Sequence, residues 1–271
     1  MLRGAKGSRV FRDITPVILT FDEEPNIGRT LSKLQWARQI VVVDSGSQDD
    51  TVRIARANPR VRVVQRPFDR HAGQWNFAIR DTGIQTNWIL ALDADFVLSE
   101  NLIVELGSLE PPEDVVGYKA NFIYCIAGRP LRATVYTPVT VLFRREHAVY
   151  VQDGHTQRVT VNGKLAALSG VIFHDDRKPL SRWVASQDRY MRLEAEKLIH
   201  GDSSGLSWSG RIRKLRVVAP IAMLFYCLFV KGLVLDGRAG LFYSFQRVFA
   251  ELLLSLHLLR HDLSSDDKAT D

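Results

Sequence analysis

Trp88-Ile89-Leu90-Ala91-Leu92-Asp93-Ala94-Asp95 is an apolar run that ends on two carboxylates two residues apart. The run reads as a buried strand, with its acidic tip where strand gives way to loop. Carboxylates in that place suit a divalent cation bridging to phosphate oxygens, because Mg²⁺ and Mn²⁺ favour hard, partly hydrated oxygen donors. An Asp-x-Asp turn can equally be a solvated strand end, so the segments around it decide.

Upstream, Val17-Ile18-Leu19-Thr20 is a short apolar strand, and Ile27, Leu31 and Leu34 follow at helical spacing after Pro25. Ile40-Val41-Val42-Val43-Asp44 is a second strand whose β-branched run implies burial on both faces, as in a parallel sheet. A turn at Ser45-Gly46-Ser47 leads into a helix over Thr51–Ala57, then a strand at Val61–Val64 and a helix over His71–Arg80. Strands alternating with helices predict an α/β domain with right-handed crossovers and a mostly parallel sheet. Ligands of such sheets collect at the carboxyl ends of the strands, where Asp44, Asp93 and Asp95 all fall.

Downstream, Val115–Ile126, Val139–Arg144 and Arg158–Leu168 read as strands with shorter connections. Asn162-Gly163 between the last two apolar runs predicts a hairpin with a two-residue turn. Leu180–Ile199 reads as a helix and Gly201–Gly210 as a Gly/Ser-rich linker. Val217–Val230 has no charge but is shorter than the about 20 residues a membrane span needs. In Leu241–Leu259 the polar Ser244, Arg247, Glu251 and Ser255 form one narrow stripe in an otherwise apolar helix. Such a helix packs into a core, dimerises or lies in a membrane interface. The expected division is a catalytic domain over 1–200, an amphipathic helical region over 211–262 and a polar, disordered tail over 263–271.

The chain has 271 residues, 46% of them hydrophobic, and a net charge of +6. Arg177–Arg216 holds ten Lys/Arg against four Asp/Glu, an excess that accounts for the whole net charge. That zone, beside an apolar segment, suits an anionic membrane surface, a phosphorylated lipid or an acidic glycan. The alternative is a solvated helical face. Nucleic acid is not expected, since the aromatic residues here do not interleave as a base-stacking platform would. Cys125 and Cys227 sit in apolar runs and read as two buried thiols of a reducing compartment. Met1–Arg12 is basic without an apolar core and does not read as a signal peptide.

Four segments fall in register: Thr20-Phe21-Asp22-Glu23-Glu24, Val41 to Thr51, Trp75-Asn76-Phe77-Ala78 and Leu92-Asp93-Ala94-Asp95. In this order the chain resembles the family 2 glycosyltransferases of the GT-A fold over about residues 14 to 180. His174-Asp175-Asp176-Arg177-Lys178-Pro179 and Leu235-Asp236-Gly237-Arg238 make it similar to bacterial lipopolysaccharide-core β-glycosyltransferases within that group. The resemblance implies a Rossmann-like, mostly parallel sheet, a second small antiparallel sheet and C-terminal amphipathic helices.

It also implies roles. Thr20, Phe21, Glu23 and Asp44 would border the nucleoside, Asp44 accepting from the uracil N–H or instead capping the Ser45-Gly46 turn. Arg70, Gln74 and Asn76 would border the diphosphate or donor sugar, and Trp75 stands where related enzymes often carry Lys. Asp93 and Ala94 would lie against the donor, and Asp95 with His174 would ligate Mn²⁺ or Mg²⁺. Asp153 is the expected base for an inverting transfer; Asp153-Gly154 as a plain turn, or Asp175 or Asp176 as base, are the alternatives. Where the resemblance expects His-Glu, this chain has His155-Thr156. The implied activity moves a sugar from a UDP-sugar to a glycan or lipid-linked acceptor in bacterial envelope synthesis, with the protein peripheral on the cytoplasmic face of the inner membrane. Self-association through the C-terminal helices is compatible with this. The competing readings are a nucleotidyltransferase, against which Asp22-Glu23-Glu24 stands in place of a Gly-rich basic loop, and a sugar-nucleotide-binding or membrane scaffold that has lost its base.

Overall fold

A computed structural model describes residues 11–153, 156–200 and 208–269, with the backbone alone at Asp153, Thr156, 208–209 and 265–269. The β-branched run becomes β2 (Ile40–Asp44), buried at every position. It lies between β1 (Ile14–Thr20) and β3 (Val61–Gln65), and β4 (Trp88–Asp93) pairs the other side of β1, all in parallel. Helices α1 (Glu24–Ser32), α2 (Thr51–Arg56) and α3 (His71–Arg80) connect these strands. The sheet's two faces have separate cores, one around Ile18, Leu31, Val42 and Leu90, the other around Val17, Val43, Trp75 and Phe143. This two-sided cover is why the strands read as continuous apolar runs rather than alternating ones.

Beyond β4 the chain forms β5 (Phe96–Leu98), α4 (Glu100–Ser108), β6 (Val115–Ile126), β7 (Arg129–Pro130) and β8 (Val139–Arg144). β9 (Ala148–Asp153), β10 (Thr156–Val161) and β11 (Lys164–His174) follow. The large sheet runs β3-β2-β1-β4-β8-β6-β11-β5, and β9 with β10 makes the small antiparallel sheet. The expected α/β architecture, a mostly parallel sheet with a small antiparallel one, is therefore present. One local expectation fails. β10 does not form a hairpin with β11 across Asn162-Gly163; it pairs back onto β9, while β11 pairs in parallel with β6 and antiparallel with β5. Gly163, at φ 139°, passes the chain from one sheet to the other instead of closing a ladder. Asp153 and Thr156 are the end pair of the real hairpin.

The chain divides into two compact units, the first covering 1–130 and 136–177, the second 131–135 and 178–271. The second contains α5 (Leu180–His200), α6 (Trp208–Lys214), α7 (Val218–Phe225), a π turn (Tyr226–Val230), a 3-10 turn (Leu233–Asp236) and α8 (Gly237–Ala269). α5, counted with the catalytic region on sequence grounds, packs Met191, Ala195 and Leu198 against Ala250, Leu254 and Leu258 of α8. α8 continues to Ala269, through the segment from residue 263 expected to be disordered. Each further helical residue adds a hydrogen bond without a new nucleation cost, so polar composition alone does not stop a long helix. Among the described residues no single helix is long and apolar enough to cross a membrane; Val218–Val230 and Leu233–Ser264 form a pair bent by 71°.

Candidate active site

The carboxyl ends of β2, β1 and β4 lie side by side, with Asp44 level with Thr20 and Asp93 level with Leu19. At one strand spacing each, the ends of β2 and β4 are about 10 Å apart.

At the β2 end, Asp44 is fully buried. Thr20 Oγ1 donates to its Oδ1 at 2.9 Å and Ser47 Oγ at 2.5 Å, while the Gly46 and Ser47 N–H groups donate to Oδ2 at 3.0 and 2.9 Å. A carboxylate offers about four acceptor positions, and these four donors occupy them. The geometry is that of a turn cap: it holds Gly46, at φ 94°, in a conformation that side chains rarely adopt. Thr20 is buried with its hydroxyl committed to Asp44. Asp22 sits beside this turn at φ 51°; its N–H donates to Ser47 Oγ at 2.8 Å and its Oδ1 accepts from Gln48 N–H at 2.6 Å. Asp and Asn are the non-glycine residues that best tolerate this conformation.

The donor-side residues of α3 divide. Arg70 lies exposed at its N-terminus. Gln74, 1% exposed, donates to Ser45 Oγ at 2.9 Å and to the Arg66 carbonyl at 3.0 Å, and accepts from the Arg66 guanidinium. Asn76 pairs with Tyr150 of β9 in both directions, at 2.8 and 2.9 Å, and Trp75 stacks on the Tyr150 ring at 5.1 Å. Gln74 and Asn76, expected to border the donor, thus spend their amides on struts to the β2 turn and to β9. Phe21 is 53% exposed at the mouth of the β1 loop.

At the β4 end, Asp93 is exposed and Asp95 is buried to 7%. Thr30 Oγ1 donates to the buried Ala94 carbonyl at 2.6 Å, fixing the acidic turn to α1. His174 Nε2 lies 3.1 Å from Asp95 Oδ2. The topology explains the approach: β11 pairs with β5 and places His174 opposite Phe96, the residue after Asp95. The rings of Phe96, Tyr124 and Tyr136 surround the imidazole at 5.2, 4.7 and 5.6 Å. Burial disfavours the imidazolium, but the Asp95 carboxylate, by charge and by hydrogen bond, outweighs it with help from Asp93 and Asp176. His174 is held above its ordinary value.

A hard oxygen and an imidazole nitrogen are an acceptable donor set for Mn²⁺ or Mg²⁺. Adjacent ligands of an octahedral ion at about 2.1 Å stand about 3 Å apart, and the Asp95–His174 separation meets that spacing. Among the described residues no three His, Cys, Asp or Glu side chains gather as a metal cluster. An ion here would take its other ligands from phosphate oxygens and water.

Sequence reasoning missed the network behind this pair. Asn26, 0% exposed, donates from Nδ2 to Glu23 Oε2 at 2.8 Å and to Asp176 Oδ1 at 2.9 Å. Its Oδ1 accepts from Arg29 Nη2 at 2.7 Å and Arg177 N–H at 2.9 Å. Asp175 is clamped by Arg29 at 2.7 Å and Arg177 at 2.8 and 2.7 Å, and its N–H donates to the Asp95 carbonyl at 3.1 Å. Burial would raise its pKa, but the Arg177 hydrogen bonds and the Arg29 charge hold it below the ordinary carboxylate range. These bonds brace Asp175 between Arg29 and Arg177 and tie Glu23 to α1. An Asn and an Arg three residues apart on one helix face were the available signal. The Asp153 carboxylate and His155 lie outside the described residues.

The model of glycosyl transferase family 2 matches residues 15–145. The chain is similar to the lipopolysaccharide core biosynthesis glycosyltransferase LpsC of Rhizobium meliloti, with 26% identity over 95% of this chain and 96% of that protein. It is similar to an uncharacterized glycosyltransferase of Rickettsia bellii at 27% identity, covering 69% and 68% of the two chains. Among solved structures, S. aureus TarS 1-349 in complex with UDP-GlcNAc superposes with a TM-score of 0.48 at 12% identity, over 89% of this chain and 90% of that one.

Proposed function

We propose that the chain, whose residues 15–145 match the model of glycosyl transferase family 2, transfers a sugar, with inversion, from a UDP-sugar to a hydroxyl of a glycan or lipid-linked acceptor of the bacterial envelope, at the cytoplasmic membrane face. The observation that carries this reading is the paired Asp95 and His174 at the β4 end, two strands from the Asp44-capped turn. The similarity to LpsC supports the acceptor class.

The nucleoside lies along the β1 and β2 loops. Asp44 shapes the turn, and the base meets the loop it orders, beside Phe21, rather than the saturated carboxylate. Asp95 and His174 would hold Mn²⁺ or Mg²⁺, which supplies positive charge to the leaving diphosphate. Asp93 faces the ribose or diphosphate from the exposed side of the same turn. Asp153, ending β9, takes the proton from the acceptor hydroxyl. That oxygen bonds to the anomeric carbon as the bond to the diphosphate oxygen breaks, and UDP leaves with the electron pair.

Release of UDP from a panel of UDP-sugars, with and without Mn²⁺, tests the reading. Asp95→Asn is expected to lose at least about a hundred-fold in turnover, the scale of removing a preorganised electrostatic contact. Asp153→Asn is expected to retain UDP binding while turnover falls by about 10²–10⁴. No UDP release by the unaltered chain from any donor, with UDP still bound, would instead mark a binding protein.

A further inference from the structure

The second unit has its polar and apolar surfaces exchanged. On α8 the polar stripe faces inward: Ser244 is 0% exposed, Glu251 4% and Ser255 7%. Ser244 Oγ donates to the Gly240 carbonyl at 2.7 Å, Ser255 Oγ to the Arg216 carbonyl, and Glu251 receives Arg213 through Nε at 3.0 Å and Nη2 at 2.5 Å. The outward side carries Phe242, Phe245, Phe249, Leu252, Leu256 and Leu263, all exposed. Their spacings of three, four, three, four and seven put them on one stripe. The α7 arm follows suit, with Ile221, Phe225, Phe229 and Val230 exposed and Cys227 buried.

Water does not explain this arrangement. Of the 28 exposed large hydrophobic side chains among the described residues, 20 belong to the second unit, although the first is the longer. Scattered apolar residues need no explanation, but a stripe of this length marks an interaction surface. An apolar exterior over internally satisfied polar groups is the pattern a lipid environment selects.

Charge identifies the occupant. Between Arg211 and Arg247 the only acid is Asp236, which is paired with Arg132 at 2.9 Å. Lys231 and Arg238 stand along the same stretch, Arg238 exposed. A self-complementary contact with a second copy would bring like charges together. Phosphate headgroups would neutralise them. The 71° bend, and the lack among the described residues of a single helix able to span, fit insertion into one leaflet rather than a crossing.

We propose that the second unit docks on an anionic lipid bilayer, sinking the apolar sides of α8 and Val218–Val230 about 5–10 Å into one leaflet, with Lys231 and Arg238 at the phosphates. This inference does not depend on the transferase reading.

Flotation of the purified full chain with vesicles tests it, using phosphatidylcholine alone and an equimolar mixture with phosphatidylglycerol. The chain is expected to float with the anionic vesicles, less so at high salt. Lys231→Ser and Arg238→Ser should each weaken binding by about five-fold, and Phe245→Ser with Leu256→Ser by at least about ten-fold. Arg238, Phe245 and Leu256 are exposed and Lys231 is half-buried, so unchanged thermal unfolding of the variants separates lost docking from lost folding. A chain that stays unbound to both vesicle types overturns the proposal. So does equal binding by the Phe245→Ser, Leu256→Ser variant, or a concentration-dependent dimer that this variant dissociates while vesicles remain unbound.

Discussion

Asn26 makes four hydrogen bonds from a position without solvent access, to Glu23, Asp176, Arg29 and the backbone of Arg177. Removing its amide strands several partners at once, at roughly 1–3 kcal/mol for each buried group left unsatisfied. Asn26→Ala is therefore expected to lower the urea midpoint strongly and to weaken Mn²⁺-dependent UDP binding, because the same network seats β11 beside the acidic turn. Asp175 yields a pH prediction. Its native pKa is depressed by Arg177 and Arg29 against an ordinary value of 3.8, so its contribution is present above that value and is lost as pH falls through the lower native one. Asp175→Asn should be less stable than the parent near neutrality, and the gap should close below about pH 4; unfolding midpoints across pH 2–7 check this. At Asp22, Asn should be tolerated, whereas a β-branched residue at this left-handed position should cost roughly 1–3 kcal/mol.

At the scale of elements, the strands that carry the site were legible because burial on both faces leaves uninterrupted β-branched runs, as in Ile40–Val43. The partners of β10 were not, since Asn162-Gly163 has the chemistry of a hairpin turn and only the competition for β6 shows that β11 leaves it. The positions of Asp95 and His174 were readable as strand ends. The commitment of Gln74, Asn76 and Asp44 to internal bonds was not, because a polar side chain that braces a loop and one that faces a ligand share the same residue types and spacing. In α8 the polar stripe was visible and its direction was not. The buried Arg213–Glu251 pair gives that direction an energetic consequence. Glu251→Ala should destabilise by about 1–3 kcal/mol, because the half-buried Arg213 guanidinium then keeps Glu194 at 3.5 Å but loses its closer carboxylate, while Arg213→Met with Glu251→Leu should be close to neutral. Calorimetric melting of both variants makes the comparison.

For the whole molecule, each unit has its own apolar core, built around Val42 and Val43 in one and around Leu254 and Leu258 in the other. A single unfolding free energy is then not the right description. Denaturant titration is expected to show separable transitions, with Asp175→Asn moving one and Glu251→Ala the other. Coincident shifts in both variants would show a single cooperative block.

Asp95 and His174 are 79 residues apart in the chain, and their meeting depends on the last strand to be made, which settles between two strands synthesised long before it. During translation, which folds domains from the N-terminus, the β1 and β2 loops are made well before the Asp95–His174 pair can be complete. A ribosome product cut short ahead of residue 174 lacks the imidazole that meets Asp95, so the pair can form only once that residue has been made.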